Sequence, residues 1–220
     1  EVEQVALHRR PVALAAAAER RLAASRAVVE RALAADQPVY GLTTGLGSRV
    51  GHKLAAADLA EFSYRTVRGR AHGVGPELGA AETRAVMLAR LNGWLAGGAG
   101  ITPALATLLA EMLNRDLRPV LYSIGSLGAG DLCLLAHLGL GMIGEGEADL
   151  GGERGPAAAL FAKAGLQPAV LGPKDGLAIA NASSPSAGLA ALALAKAARL
   201  GATAQVAAAL ALEAFRGNVT

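Results

Sequence analysis

Apolar residues recur at helical spacing along most of this chain, and short polar, glycine-rich stretches interrupt them. Residues 12–34, VALAAAAERRLAASRAVVERALA, set arginines and glutamates on one side and alanine, leucine and valine on the other. The same pattern predicts helices at about 55–68 and about 80–97. Thr102 ahead of Pro103 is an N-cap followed by a proline in the first turn, which opens a helix to about Asn114. Asp131 reads as the cap of a helix over 132–143, and Pro156 as the start of a short one. Ser184-Pro185 repeats the cap-then-proline signature and opens a long helix to about Arg216. Between these lie GEGEADLGGERG (144–155), a polar connection with a small hairpin, and LGPKDG (171–176), a turn. Period-two alternation never persists, so no large sheet is expected. The chain stops at EAFRGNVT, just after a helix and with no finishing element, and so reads as part of a longer protein.

Composition sharpens the fold class. The 220 residues are 53% hydrophobic but only 3% aromatic, and alanine and leucine, the strongest helix formers, supply most of that mass. A mostly-α fold follows. The formal charge of +3 is carried by scattered arginines, with neither a basic stripe nor stacking aromatics, so nucleic acid is not an expected partner. A single cysteine, Cys133, excludes an intrachain disulfide framework and fits a reducing cytoplasm. The N-terminus EVEQVALHRRP has no signal-peptide pattern. The charge-free run 176–195 carries Asn181, Ser183, Ser184, Pro185 and Ser186 at its middle. These are costly in lipid, so a buried helix is expected there and not a membrane span.

Four polar stretches are candidates for chemistry: 40–47, 68–75, 125–131 and 181–184. Glycine loops between helices are usually connections, and each stretch alone is weak evidence. YGLTTGLG follows no convincing strand, and no glycine cluster is followed by GK[ST], so neither a dinucleotide fingerprint nor a P-loop is present. His8, His52, His72 and His137 lie far apart, with no HxxxH or CxxC, so no metal is expected. His137 reads as a packed, hydrogen-bonded histidine. GSLG at 125–128 lacks the spacing of a nucleophile elbow.

Taken together, the four stretches resemble a family. YGLTTGLG (40–47) resembles the Tyr-Gly-x-x-Thr-Gly-Phe-Gly motif of the histidine and aromatic amino-acid ammonia-lyases, with Leu46 in place of the phenylalanine. RAHGVG (70–75) resembles their His-Ala-Ala-Gly-Val-Gly loop, with Arg70 at the histidine and His72 two residues on. Residues 118–148 resemble the signature Gly-Ser-Val-Gly-Ala-Ser-Gly-Asp-Leu-Ala-Pro-Leu-Ala-His, closing in the same Ile-Gly-Glu-Gly-Glu-Ala. KDGLAIANAS (174–183) resembles Lys-Glu-Gly-Leu-Ala-Leu-x-Asn-Gly-Thr. The matches follow the family's order and extend over nearly the whole chain.

The resemblance implies elimination of ammonia from an α-amino acid to give an α,β-unsaturated acid. It implies a methylidene-imidazolone cofactor made from the backbone at Ala129, Gly130 and Asp131, and no metal. Helix N-termini aimed at that electrophile favour electron flow toward it. It further implies Tyr40 as the base that takes the β-proton, within a loop shaped by Gly41, Thr44, Gly45 and Gly47. Asn181 holds the cofactor segment or the substrate carboxylate, and Arg70 and His72 lie toward the substrate side chain. Apart from the resemblance, Tyr40 reads as a packed loop tyrosine, Asn181 as a cap or turn residue, and Arg70 and His72 as a solvated loop. A long helix bundle beginning at 184–220 after a loop-bearing domain at 1–183, and a homotetramer, are likewise implied.

One departure stands out. The family's Gly-Ala-Ser-Gly-Asp is here Gly128-Ala129-Gly130-Asp131, without the serine whose dehydration makes the methylidene carbon. Two readings follow: an ammonia-lyase-like enzyme with Tyr40 as base, or a non-catalytic ligand-binding or assembly subunit without the electrophile. Release of product separates them from binding without turnover.

Overall fold

The computed structural model describes residues 1–126 and 130–217. Its helices are α1 (Val2–His8), α2 (Ala16–Ala34), α3 (Leu59–Arg68), α4 (Ala80–Leu95), α5 (Pro103–Asn114), α6 (Leu132–Met142), α7 (Ala157–Lys163), α8 (Asp175–Ala180) and α9 (Ser184–Ala214). The strands are β1 (Val74–Glu77), β2 (Leu117–Pro119), β3 (Tyr122–Ile124), β4 (Glu147–Leu150) and β5 (Glu153–Pro156). The protein is mostly α, as its composition dictates.

α4 is the central post. Thr83, Arg84, Ala85, Val86, Met87, Arg90, Leu91 and Trp94 are all buried, so nearly its whole circumference is covered. α5 and α6 add Leu109, Met112, Leu113, Leu135, Leu138 and Met142 to the same core. The Trp94 indole N–H donates to the Ala178 carbonyl at 2.8 Å, and Arg90 donates to the same oxygen, so α4 carries α8 directly. At the other end of α4, buried Arg84 donates to the Val5 and Leu113 carbonyls at 3.0 and 2.9 Å and to Asp116 at 2.9 Å. Arg118 and Arg9 pair with the same carboxylate at 3.1 and 3.2 Å. A buried guanidinium is tolerated only when satisfied in this way.

The sheets are small. β4 and β5 form the expected hairpin, and β2 joins β4 antiparallel, with Leu117 opposite Leu150 and Pro119 opposite Ala148. Pro119 sits on an edge strand, where its missing N–H removes no ladder bond. β1 and β3 pair in a second, irregular two-stranded ladder, Val74 opposite Ile124.

Several element expectations need correction. The helix read over 12–34 begins at Ala16, and α1 precedes it as a separate seven-residue helix too short for periodicity to reveal. LGPKDG is a turn only as far as Lys174, whose φ of 76° is left-handed; α8 starts at Asp175. The N-cap of α9 is Ser183, with Ser184 already helical. Thr102 and Asp131 occupy N-cap positions, but neither side chain caps its own helix. Residues 175–214 are long and apolar enough by composition to cross a membrane. In this fold the first part of α9 packs against α4, and Ser184, Pro185, Gly188 and Leu192 are buried.

Candidate active site

Loop 40–47 is held by its own backbone and by α8. The Thr43 hydroxyl receives the Val39 N–H at 2.8 Å and donates to the Gln37 carbonyl. Tyr40 bridges Thr44, which in turn bridges Lys53. Gly41 has a φ of +66°, which favours glycine, and a Cβ there would stand 2.4 Å from Leu177 Cδ2 and 2.7 Å from Leu46 Cδ2. That contact seats the loop on α8. Tyr40 is 48% exposed, and its phenol oxygen accepts the Gly47 N–H at 3.0 Å.

α8 ends at Asn181, the C-cap. A Cβ on buried Gly130 would lie 3.7 Å from Asn181 Oδ1, the nearest atom among the described residues apart from its chain neighbours. The Asp131 N–H donates to the Ala182 carbonyl at 2.8 Å. The Asp131 carboxylate, 1% exposed, accepts the Ser186 N–H at 2.9 Å and the Ser186 hydroxyl at 3.1 Å. Asp131 thus supplies the first turn of α9 with the acceptor that Ser183 does not, and its negative charge faces a helix N-terminus. The segments 130–131 and 181–186 form one cradle. Ala129 lies outside the described residues.

The loop at 70–75 docks on α6. The Gly73 N–H donates to His137 Nε2 at 3.1 Å, and the imidazole meets the Tyr122 ring edge-on at 4.8 Å. Burial holds the His137 pKa below its usual value, and the neutral ring presents the lone pair that Gly73 needs. Arg70 donates back to the Thr66 carbonyl at 3.3 Å and shares a cavity of about 380 Å³ with Gly45, Arg49, His52 and Phe62. His72 is exposed and bonds the Gly69 carbonyl at 2.7 Å, within its own loop.

The fold therefore joins Gly130, Asp131 and Asn181, seats the loop that carries Tyr40 on the same short helix through Gly41, and sets Arg70 beside Gly45. It does not bring His72 to them by any hydrogen bond among the described residues. No cluster of three or more His, Cys, Asp or Glu suited to a metal occurs among those residues. Sequence reasoning missed Asp175. Fully buried, it accepts the Thr102 N–H and hydroxyl at 2.9 and 2.7 Å and the Gly172 N–H at 2.8 Å, with Arg26 at 3.6 Å. Burial raises its pKa. This clamp fixes the start of α8 and so the place of Asn181. A lone acid at the edge of a long charge-free run was the available signal.

The family model for aromatic amino acid lyases matches residues 1–220. The chain belongs to that family. It is 43% identical over 213 residues to a probable histidine ammonia-lyase of Halobacterium salinarum, covering 96% of this chain and 41% of that protein. The chain thus spans about two fifths of the length of the curated relatives it matches. The crystal structure of tyrosine aminomutase from Streptomyces globisporus superposes with a TM-score of 0.91 at 33% identity, covering 97% of this chain and 40% of that one. An ergothioneine-degrading enzyme, ergothionase from Treponema denticola, superposes with a TM-score of 0.85 at 33% identity, covering 87% and 38%.

The methylidene-imidazolone associated with the family needs a hydroxyl that leaves as water. Between Gly128 and Asp131 the side chains amount to one methyl group, on Ala129. Among the described residues a Cβ on Gly130 would meet Asn181 Oδ1 at ordinary contact distance, so a polar neighbour is present while the precursor is not. These residues do not fit the group.

Proposed function

We propose that this chain is the N-terminal portion of an amino-acid lyase. It breaks the Cα–N bond of an α-amino acid or a close derivative, which in the family's usual reaction releases ammonia, and leaves an α,β-unsaturated acid. The observation that carries the reading is the shared strut. Loop 40–47 rests on Leu177, and four residues further on Asn181 stands beside Gly130.

In this reading Tyr40 takes the β-proton. Its oxygen is half-exposed and held by the Gly47 N–H, within a loop that Gly41 fixes to α8. Asn181 offers an amide to the substrate carboxylate. Arg70, with Arg49 and His52 around the same cavity, suits the side-chain end of a ligand bearing an anionic or hydrogen-bonding group. His72 acts on that loop from outside. Gly130 and Asp131 form the floor, and no step is routed through a backbone-derived electrophile. The relatives are named for histidine, tyrosine and ergothioneine; we take from them an amino-acid-like ligand and no particular side chain.

A homo-oligomer, a tetramer by family resemblance, belongs to the same proposal. The exposed Leu194, Leu200, Val206, Leu210 and Phe215 along α9 support it. A cytoplasmic setting and a division into residues 1–183 and 184–220 are further parts of the proposal.

The test is formation of an α,β-unsaturated acid, followed by mass spectrometry, from a panel of α-amino acids and their N-alkylated derivatives. Tyr40→Phe is expected to lower the rate by roughly 100- to 10,000-fold, the range for a lost general base. Turnover that survives the substitution unchanged would remove Tyr40 from the mechanism.

A further inference from the structure

A cavity of about 830 Å³ opens where α2 meets the 97–100 turn and Lys174. None of Tyr40, Gly130, Asp131 or Asn181 lines it, so it is a different place from the candidate active site. Its walls are mainly apolar, formed by Val28, Val29, Ala32, Val39, Leu42 and Ala99. Close packing holds them. Gly100 has a φ of +66°, and a Cβ there would meet Val29 Cγ2 at 2.5 Å, so the turn rests directly on α2. The Ser25 hydroxyl accepts the Gly100 N–H at 3.0 Å. Arg26 donates to the Gly100 and Pro173 carbonyls at 3.4 and 3.0 Å, which ties the turn to the segment before α8.

Charge in this cavity has one sign. Arg31 and Lys174 line it, and no acidic side chain does among the described residues. The acids nearby are engaged elsewhere. Asp175 is fully buried and spent on Thr102, Gly172 and Arg26, and Glu30 pairs with Arg26 at 3.2 Å. Lys174 itself is half-buried, and its amine has no hydrogen bond or ion pair among the described residues. Burial lowers its pKa; adjacent Asp175 opposes the shift and Arg90 adds to it. Its φ of 76° is a left-handed conformation that residues with side chains rarely adopt. A partly dried cation without a partner is unfavourable, and a bound anion supplies what the fold does not.

We propose that this cavity is a binding site for a small monocarboxylic acid with an apolar body. The carboxylate sits on Lys174, with exposed Arg31 as a second cation, and the body lies against Val28, Val29 and Leu42. The proposal is independent of the lyase reading. Two features fix the ligand class together. Apolar walls reward the burial of a hydrocarbon body, and two cations with no acid between them select a carboxylate over an amide or an amine. A phosphate or a sugar acid would satisfy the cations and leave the apolar walls wet. Size agrees, since pockets of this volume, largely apolar with a few placed polar groups, hold small ligands.

The experiment titrates the purified protein with octanoate, octanamide and octylamine in a calorimeter. Octanoate is expected to bind, and the neutral and cationic analogues to bind at least about tenfold more weakly. Lys174→Met removes the charge and keeps the length of the side chain. It should weaken octanoate by roughly 10- to 100-fold, the range for a lost hydrogen bond between charged groups, and leave octanamide unchanged. Val28→Glu, at an exposed position of α2, sets an acid on the wall without touching Lys174 and should weaken octanoate as well. This second variant carries the test if the first fails to fold. Equal affinity for octanoate and octanamide, a preference for octylamine, or no octanoate binding at all would each overturn the proposal. So would octanoate binding that both substitutions leave unchanged, because the acid would then sit elsewhere.

Discussion

The two ends of α9 share many alanines and leucines and have opposite surroundings. At the inner end Ser184, Pro185, Gly188 and Leu192 are buried, and Gly188 presses its bare Cα against the backbone of α4. At the outer end Leu194, Leu200, Val206 and Leu210 are 60–71% exposed, and Gly201 has no heavy atom within 4 Å of its Cβ position. Alanine, leucine and glycine recur at both ends, so apolarity alone does not tell which end is covered. The difference comes from residue size and from one distant acid. Small residues at four-residue spacing let the inner turns approach α4 closely, and Asp131 fastens the first turn. The candidate active site lies at the fastened end. Catalytic geometry there is borrowed from the packing of α4, α6 and α8, and the outer turns contribute nothing to it among the described residues.

The largest expected effect comes from removing the fastening. Asp131→Ala strips both Ser186 contacts from a buried position and leaves the N-terminus of α9 without its anionic acceptor. Hydrogen bonds to a charged group of this kind imply a loss of about 2–3 kcal/mol. For a chain of this size that lowers the midpoint of thermal unfolding by roughly 5–10 °C. A melting curve that shifts by less than a degree would show that the inner end is held by packing alone, and the contrast between the ends would then rest on Gly188.

Gly188→Ala tests that packing directly. The added methyl would sit 2.8 Å from the Ala85 carbonyl carbon and the Val86 nitrogen, both backbone atoms that cannot swing aside. Overpacking against fixed atoms costs about 1–3 kcal/mol, from which alanine's better helix propensity subtracts up to about 1 kcal/mol. A net loss of stability in denaturant titration is expected. A variant as stable as the parent would mean that α9 slides along α4 at little cost, and the cradle at Asn181 would be looser than its hydrogen bonds suggest.

The same contrast explains how much the sequence discloses. Thr102-Pro103 announces α5 because the signal is local, yet the Thr102 hydroxyl is spent on Asp175, 73 residues away. Asp131 announces α6 by position, and its carboxylate serves a helix that begins 53 residues later, through a contact spanning 55 residues. Gly41 is legible as a special position; that it is left-handed and lies against Leu177 and Leu46 is not. α8 reads only as part of the charge-free run 176–195, since six residues give no period of their own, and β1 is hidden by Gly75 and Pro76, both poor strand formers. Family resemblance supplied the residues to inspect, and local pattern supplied the helices. The joining of Gly130 to Asn181 needed coordinates, since partners so far apart leave no mark in a local window.

The smallest effect should have the opposite sign. Gly201 lies just past the midpoint of α9, exposed, with nothing among the described residues near enough for a methyl group to strike. Glycine there gives up more backbone freedom on folding than alanine would and offers no packing in return, so Gly201→Ala should stabilise the helix by about 0.5–1 kcal/mol. One substitution in one helix would then raise stability at position 201 and lower it at position 188. Chemical denaturation of both variants beside the parent measures the pair. A loss at position 201 would require something to lie against the outer turns in solution, and the two ends of α9 would then obey the same packing rule with different partners.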